Sequence, residues 1–175
     1  MTRTGGGFDP SFNAQTAVDD TAHITVAAEV GNNPADVGQL LPTLKAVKNN
    51  TGQAPERLLA YAGYRSEENL KGLVGSGIDA VVALGREGKR YAQIDASKSP
   101  HTATMDAKLH TNEGKAAYRR RKWISEPPNS WIKSVLGLRQ FSLRGLHRVQ
   151  AEFQPLCLAL NLRRICAEWA TLKVM

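Results

Sequence analysis

Two hydrophobic periods divide this chain. Residues 12–19 and 23–30 are β-prone runs separated by Asp20, Thr21 and Ala22, a spacing that predicts an antiparallel hairpin with a short loop. After Asn33-Pro34 the period changes to that of a helix. Val37, Leu40, Leu41, Leu44 and Val47 recur at i, i+3, i+4, i+7 and i+10, with Asn33 placed as the cap and Pro34 at the first helical position. Pro42 falls inside that run, so either the helix kinks there or its regular part begins near Leu41. Residues 57–63 form a short apolar run closed by glycine, which suits a buried strand. Ser66 can cap a helix over 67–74 whose first turn holds two acids, and residues 78–84 read as a second buried strand. Strand, helix and strand at these lengths make a βαβ unit, so part of the sheet is expected to be parallel.

The second half reads differently. Residues 85–100 are polar and mixed and are taken as a long connection; beyond Met105 the text is helical, with helix formers over 107–121. Ser125 is the expected N-cap of the next helix, with Glu126, Pro127 and Pro128 in its first turn, where missing N–H groups cost little. Trp131, Ile132, Val135 and Leu136 supply its apolar face and Gly137 its end. A last helix from about Arg144 presents Leu146, Val149, Phe153, Leu156, Cys157 and Leu160, and Pro155 predicts a bend near 153–155.

Charge adds what the pattern cannot. Between residues 114 and 164 there are eleven Lys or Arg and two acids, Glu126 and Glu152, a local +9 in a chain whose net charge is +7. A cluster of one sign is the footprint of a polyanion-binding face. The expected DNA contacts are Arg119, Arg120, Arg121, Lys122, Lys133, Arg139, Arg144 and Arg148. Arginine outnumbers lysine eight to three there, which favours forked phosphate recognition; the bland alternative is a solvated helix face. Trp123, Trp131 and Phe141 interleave with these charges at a spacing that suits core anchors as well as stacking platforms.

With 175 residues and 42% hydrophobic content the chain can bury a core, and one domain over 12–165 is expected, with a flexible lead-in at 1–11 and a tail at 166–175. Cys157 and Cys166 read as reduced core residues, and the four histidines show no metal-ligand spacing. No apolar leader or stretch of about 18 apolar residues occurs, so a cytoplasmic location without membrane attachment is the default.

Several blocks, in order, resemble the C-terminal part of insertion-sequence transposases with an Asp-Asp-Glu triad: GGGFDPSFNAQTAVD, AYAGYRSEENL, MDAKLHTNEGKAAYRRRKWISEPPNSWIK and GLRQFSLRGLHRVQAEF with CLALNLRR. The resemblance implies an α/β fold, namely an incomplete RNase H-like domain (antiparallel hairpin plus βαβ, first strand missing) followed by C-terminal helices. It also implies two divalent ions, usually Mg²⁺, held by three carboxylates for phosphoryl transfer on DNA. Glu126 matches the family's final Glu, as the catalytic and metal-binding residue. The block that resembles A-D-A-G-Y reads Ala60-Tyr61-Ala62-Gly63-Tyr64 here, so Tyr61 stands where the second Asp belongs. The first Asp falls on a strand before the Gly-rich lead-in, outside this sequence.

A phenol titrates near pH 10 and replaces a carboxylate poorly on Mg²⁺. Asp19, Asp20, Asp36 and Asp79 could offer oxygen, but nothing in the sequence places them near Glu126. The expectation is a truncated, catalytically inactive remnant that binds Mg²⁺ weakly at best and keeps a DNA-facing surface. It could pair with a second copy or with a full-length transposase. The alternatives are a stand-alone nucleic-acid-binding or regulatory module, and a globular protein whose arginines are merely solvated.

Overall fold

The structure is a computed structural model that describes residues 12–85 and 93–172; the expected lead-in and residues 86–92 of the expected 85–100 connection lie outside the described residues. It is a mixed α/β chain with two small sheets and five α-helices among the described residues. The residues divide into two compact units, one made of the N-terminal 34 residues with 124–175, the other of residues 35–123.

In the first unit, β1 (Asn13–Val18) pairs antiparallel with β2 (Thr25–Gly31), as the alternating pattern requires. The loop is longer than expected. Its backbone is satisfied by Asp19, whose carboxylate accepts from the amides of Thr21, Ala22 and Ile24. Helix α5 (Leu146–Leu172) lies against β2. Val149, Phe153, Cys157 and Leu160 face inward at helical spacing and pack with Val30 and Ile132. Phe153 meets Phe141 edge to face at 6.1 Å, and Phe141 meets Phe12 at 6.2 Å. Two amides fix the strand to the helix: Gln150 donates to the Ala28 carbonyl and accepts from the Val30 amide, while Asn161 bonds both backbone groups of Thr25. Pro155 sits inside an unbroken helix. Leu146 and Cys166 are exposed, which corrects the expectation of two core residues. Leu158, Leu162, Ile165 and Trp169 are exposed as well.

The second unit holds the βαβ arrangement. A 3₁₀ turn (Val37–Gln39) leads into α1 (Leu40–Thr51); the helix thus starts near the later of the two expected points, and Asn33-Pro34 lies outside it. Pro42 falls in the first turn of α1, where its missing N–H costs nothing. Strands β3 (Arg57–Ala60) and β4 (Asp79–Val82) are parallel, with Arg57 opposite Asp79 and Ala60 opposite Val82. Between them runs α2 (Glu67–Gly75), capped as expected by Ser66, whose hydroxyl accepts from the Asn69 amide at 3.0 Å. Leu70, Leu73, Val82 and Met105 are among the residues of the core.

Helix α3 (Pro100–His110) starts seven residues before the expected 107. Its cap comes from elsewhere in the chain. Glu67 accepts from the His101 and Thr102 amides at 2.7 and 3.0 Å and from the Thr102 hydroxyl at 2.7 Å. Slight burial raises the Glu67 carboxyl, but these donors outweigh it and hold the group below the ordinary glutamate range. A short break at Thr111 precedes α4 (Asn112–Ser134). There a Cβ on Gly114 would run into the Lys108 carbonyl, so only glycine fits.

At the start of the parallel pair, Asp79 accepts from Lys108 and from Arg57 Nε, the latter at 2.5 Å, and Arg57 also reaches Glu113 at 2.9 Å. These partners, Lys108 first and Arg57 second, hold the Asp79 carboxyl below its ordinary value of 3.8. A carboxyl whose pKa is depressed on folding stabilises the fold above that ordinary value and loses the contribution as pH falls through the folded value. Urea midpoints are therefore expected to drop below about pH 4, with part of that slope absent in Asp79→Asn; an identical acid slope in the variant would remove Asp79 from the account.

Candidate nucleic-acid interface and the Tyr61 corner

Residues 107–134 do not form two helices meeting at a Ser125 cap; α4 passes straight through Ser125, Glu126, Pro127 and Pro128. The two prolines remove the amides that would pair with the Trp123 and Ile124 carbonyls, a cost of about 3 kcal/mol for an interior proline. Burial opposes that cost. Ile124, Pro128 and Ile132, four apart, are all buried in one row, and Pro128 is among the most completely buried residues. Asn129 adds a bond from its amide to the Ser125 carbonyl at 2.9 Å and another with the Thr16 hydroxyl at 3.3 Å. Glu126 is consequently an exposed mid-helix residue of the first unit and not an N-terminal cap residue.

The eight basic residues fall into two sets. Arg119, Arg120, Arg121 and Lys122 occupy one turn of α4 in the second unit. Three are exposed, whereas Arg121 is half-buried with its guanidinium 5.2 Å from the centre of the Tyr118 ring. Lys133, Arg139, Arg144 and Arg148 belong to the first unit and are all exposed. The interleaved aromatics separate cleanly. Phe141 packs against Phe12 and Phe153; Trp131 is partly buried beneath Arg163, whose guanidinium lies 4.8 Å above its ring; Trp123 is 77% exposed.

The other chemically telling position is Tyr61, the residue immediately after β3. Its hydroxyl donates to the Asp36 carboxylate, and its ring meets Tyr64 edge to face at 4.7 Å. Gly63 closes the corner: a Cβ there would stand 2.5 Å from the Tyr61 ring and 2.7 Å from Asp36 Oδ2. Burial first, and the bond to Asp36 second, raise the Tyr61 phenol far above its ordinary value. Burial pushes Tyr64 up to about 12. Tyr61 therefore stays protonated at any physiological pH.

The family model of the transposase DDE domain matches residues 2–162. The chain belongs to that family. No curated protein and no solved structure matches it. The match agrees with the blocks that carried the resemblance, and the family is RNase H-like and typically dependent on divalent metal.

Among the described residues of this transposase DDE domain, the donors at the end of β3 do not fit a two-metal centre. The end of β3 offers one carboxylate, Asp36, and one phenol that stays protonated and donates to it. A pair of hard divalent ions needs anionic oxygen to offset its charge, and a protonated phenol whose O–H is directed at the neighbouring carboxylate supplies none. Among the described residues no group of three or more His, Cys, Asp or Glu could hold a metal. Asp19 is engaged in the hairpin loop and Asp79 with Arg57 and Lys108; Asp20 is exposed. Asp36 is the residue whose role the sequence left open, because its partner lies 25 positions away. No helix among the described residues is long and apolar enough to cross a membrane.

Proposed function

We propose that this transposase DDE domain holds DNA through its basic surfaces and does not cut it. The observation that carries the reading is Tyr61, a protonated phenol bonded to Asp36 where the family's second carboxylate belongs. The antiparallel hairpin and the parallel βαβ pair are each, in this reading, elements of an RNase H-like domain. Glu126 keeps the family's final carboxylate in an exposed position. With a phenol where the second carboxylate belongs, the two ions that in-line phosphoryl transfer uses lack an anionic ligand at the end of β3. Attraction to phosphate needs none of them, since Arg119, Arg120 and Lys122 and the four cations of the first unit are exposed.

Calorimetric titration with Mn²⁺ tests the disarmed centre. The native chain is expected to give no saturable heat, whereas Tyr61→Asp sets a second carboxylate beside Asp36 and gains a weak site. Saturable binding by the native chain that disappears in Glu126→Ala would mean that other oxygens complete the centre, and the reading would fail.

A further inference from the structure

Among the described residues Trp123 is the most exposed large hydrophobic side chain, and it lies in the most basic turn of the chain. Building from the helix period, Lys115, Arg119 and Trp123 follow each other four residues apart, in one row along α4 with a rise of about 6 Å per step. Lys122 is adjacent, and Asn112 and Ala116 complete the same exposed side. Residues 114–123 contain no acid; the one carboxylate of that end of α4, Glu113, is bonded to Arg57.

A second exposed tryptophan provides the contrast. Trp169, in α5, follows Leu162 and Ile165 on its own side of the helix and has Glu168 beside it; the two cations before it, Arg163 and Arg164, lie over the Trp131 ring and against the Ala22 carbonyl. An exposed indole in an apolar or acidic setting suits a protein partner. An indole at the end of a row of cations suits a polyanion with flat faces to stack.

We propose that Trp123 is a stacking platform for an unpaired nucleobase, with Lys115 and Arg119 on the phosphates of the same strand. Every base has a π-face, so stacking tolerates sequence, and the neighbouring cations track the backbone. A base within a closed duplex has both faces covered by its neighbours and cannot use the platform. The ligand class is therefore single-stranded DNA or the unpaired end of a duplex. This rests on the DNA-holding reading above and adds to it which form of DNA this face prefers.

The experiment compares a single-stranded 15-mer with a blunt hairpin duplex, by anisotropy and by tryptophan emission, for the native chain, Trp123→Ala, Trp123→Phe and Trp169→Ala. The 15-mer is expected to quench native emission. Its affinity should fall by between about 5-fold and about 150-fold in Trp123→Ala, the equivalent of about 1–3 kcal/mol for one stacked base. Trp123→Phe should keep most of the affinity, Trp169→Ala all of it, and the blunt duplex should bind every variant alike. Equal affinity of native and Trp123→Ala for the 15-mer would overturn the proposal, and so would an equal loss on the blunt duplex. If neither DNA binds the native chain, the underlying DNA reading fails; if the duplex binds and Trp123 makes no difference, only the platform fails.

Discussion

Replacing Arg119, Arg120 and Lys122 together with glutamine is expected to lower DNA retention on the order of a hundredfold at about 0.1 M salt and to reduce the slope of log affinity against log salt by about 2 to 3. Each phosphate contact on duplex DNA releases about 0.9 of a counterion, so the slope counts contacts whatever the DNA sequence. All three side chains are exposed on α4, and their replacement opens no cavity. Arg121 is left in place on purpose. Its guanidinium lies over the Tyr118 ring and the residue is half-buried, so changing it would mix lost charge with lost packing. Retention measured at several salt concentrations, beside the circular dichroism of each chain, separates the effects. Unchanged retention and slope in a folded variant would return these cations to the status of a solvated face.

Local signals carried much of the fold. The hairpin, the Ser66 cap and the parallel βαβ pair follow from the period of apolar residues and from residues next to one another in sequence. Where the sequence misleads, a distant partner decides. Ser125-Glu126-Pro127-Pro128 has the composition of a helix start, yet the buried row of Ile124, Pro128 and Ile132 keeps α4 continuous through it. Tertiary burial outweighs local propensity there. Helix α3 begins at Pro100 because Glu67, 34 positions before His101, supplies its cap. Spacing placed Cys157 and Cys166 alike, but only Cys157 reaches the core beneath β2.

The candidate site divides in the same manner. Tyr61 as a phenol after a short strand and the basic turn of α4 were legible in the residues themselves. That Tyr61 bonds Asp36, and that Trp123 is exposed while Trp131 and Phe141 are covered, was not. Those facts depend on contacts 12 or more residues apart and on the orientation of helix faces, which a single period does not fix. Pro127 and Pro128 show the limit most sharply, since the same two residues favour the first turn of a helix and here occupy its interior.

Cleavage is the step that the account denies to this chain. In the DDE chemistry the attacking water and the leaving oxygen each need a metal ion, and the ions need carboxylates. In the proposed reading, a phenol held protonated by burial and by Asp36 stands at the end of β3 where such a centre would need an anionic ligand. DNA retention makes no such demand and should survive chelation, with its salt sensitivity intact. The two activities should therefore come apart in one tube.

The most direct measurement is to incubate the native chain with supercoiled plasmid in Mg²⁺ or Mn²⁺ and to follow gel retention and nicking together, with Glu126→Ala alongside. The account predicts salt-sensitive retention by both proteins and no nicked or linear product from either above the protein-free control. Nicking by the native chain that vanishes in Glu126→Ala would contradict it.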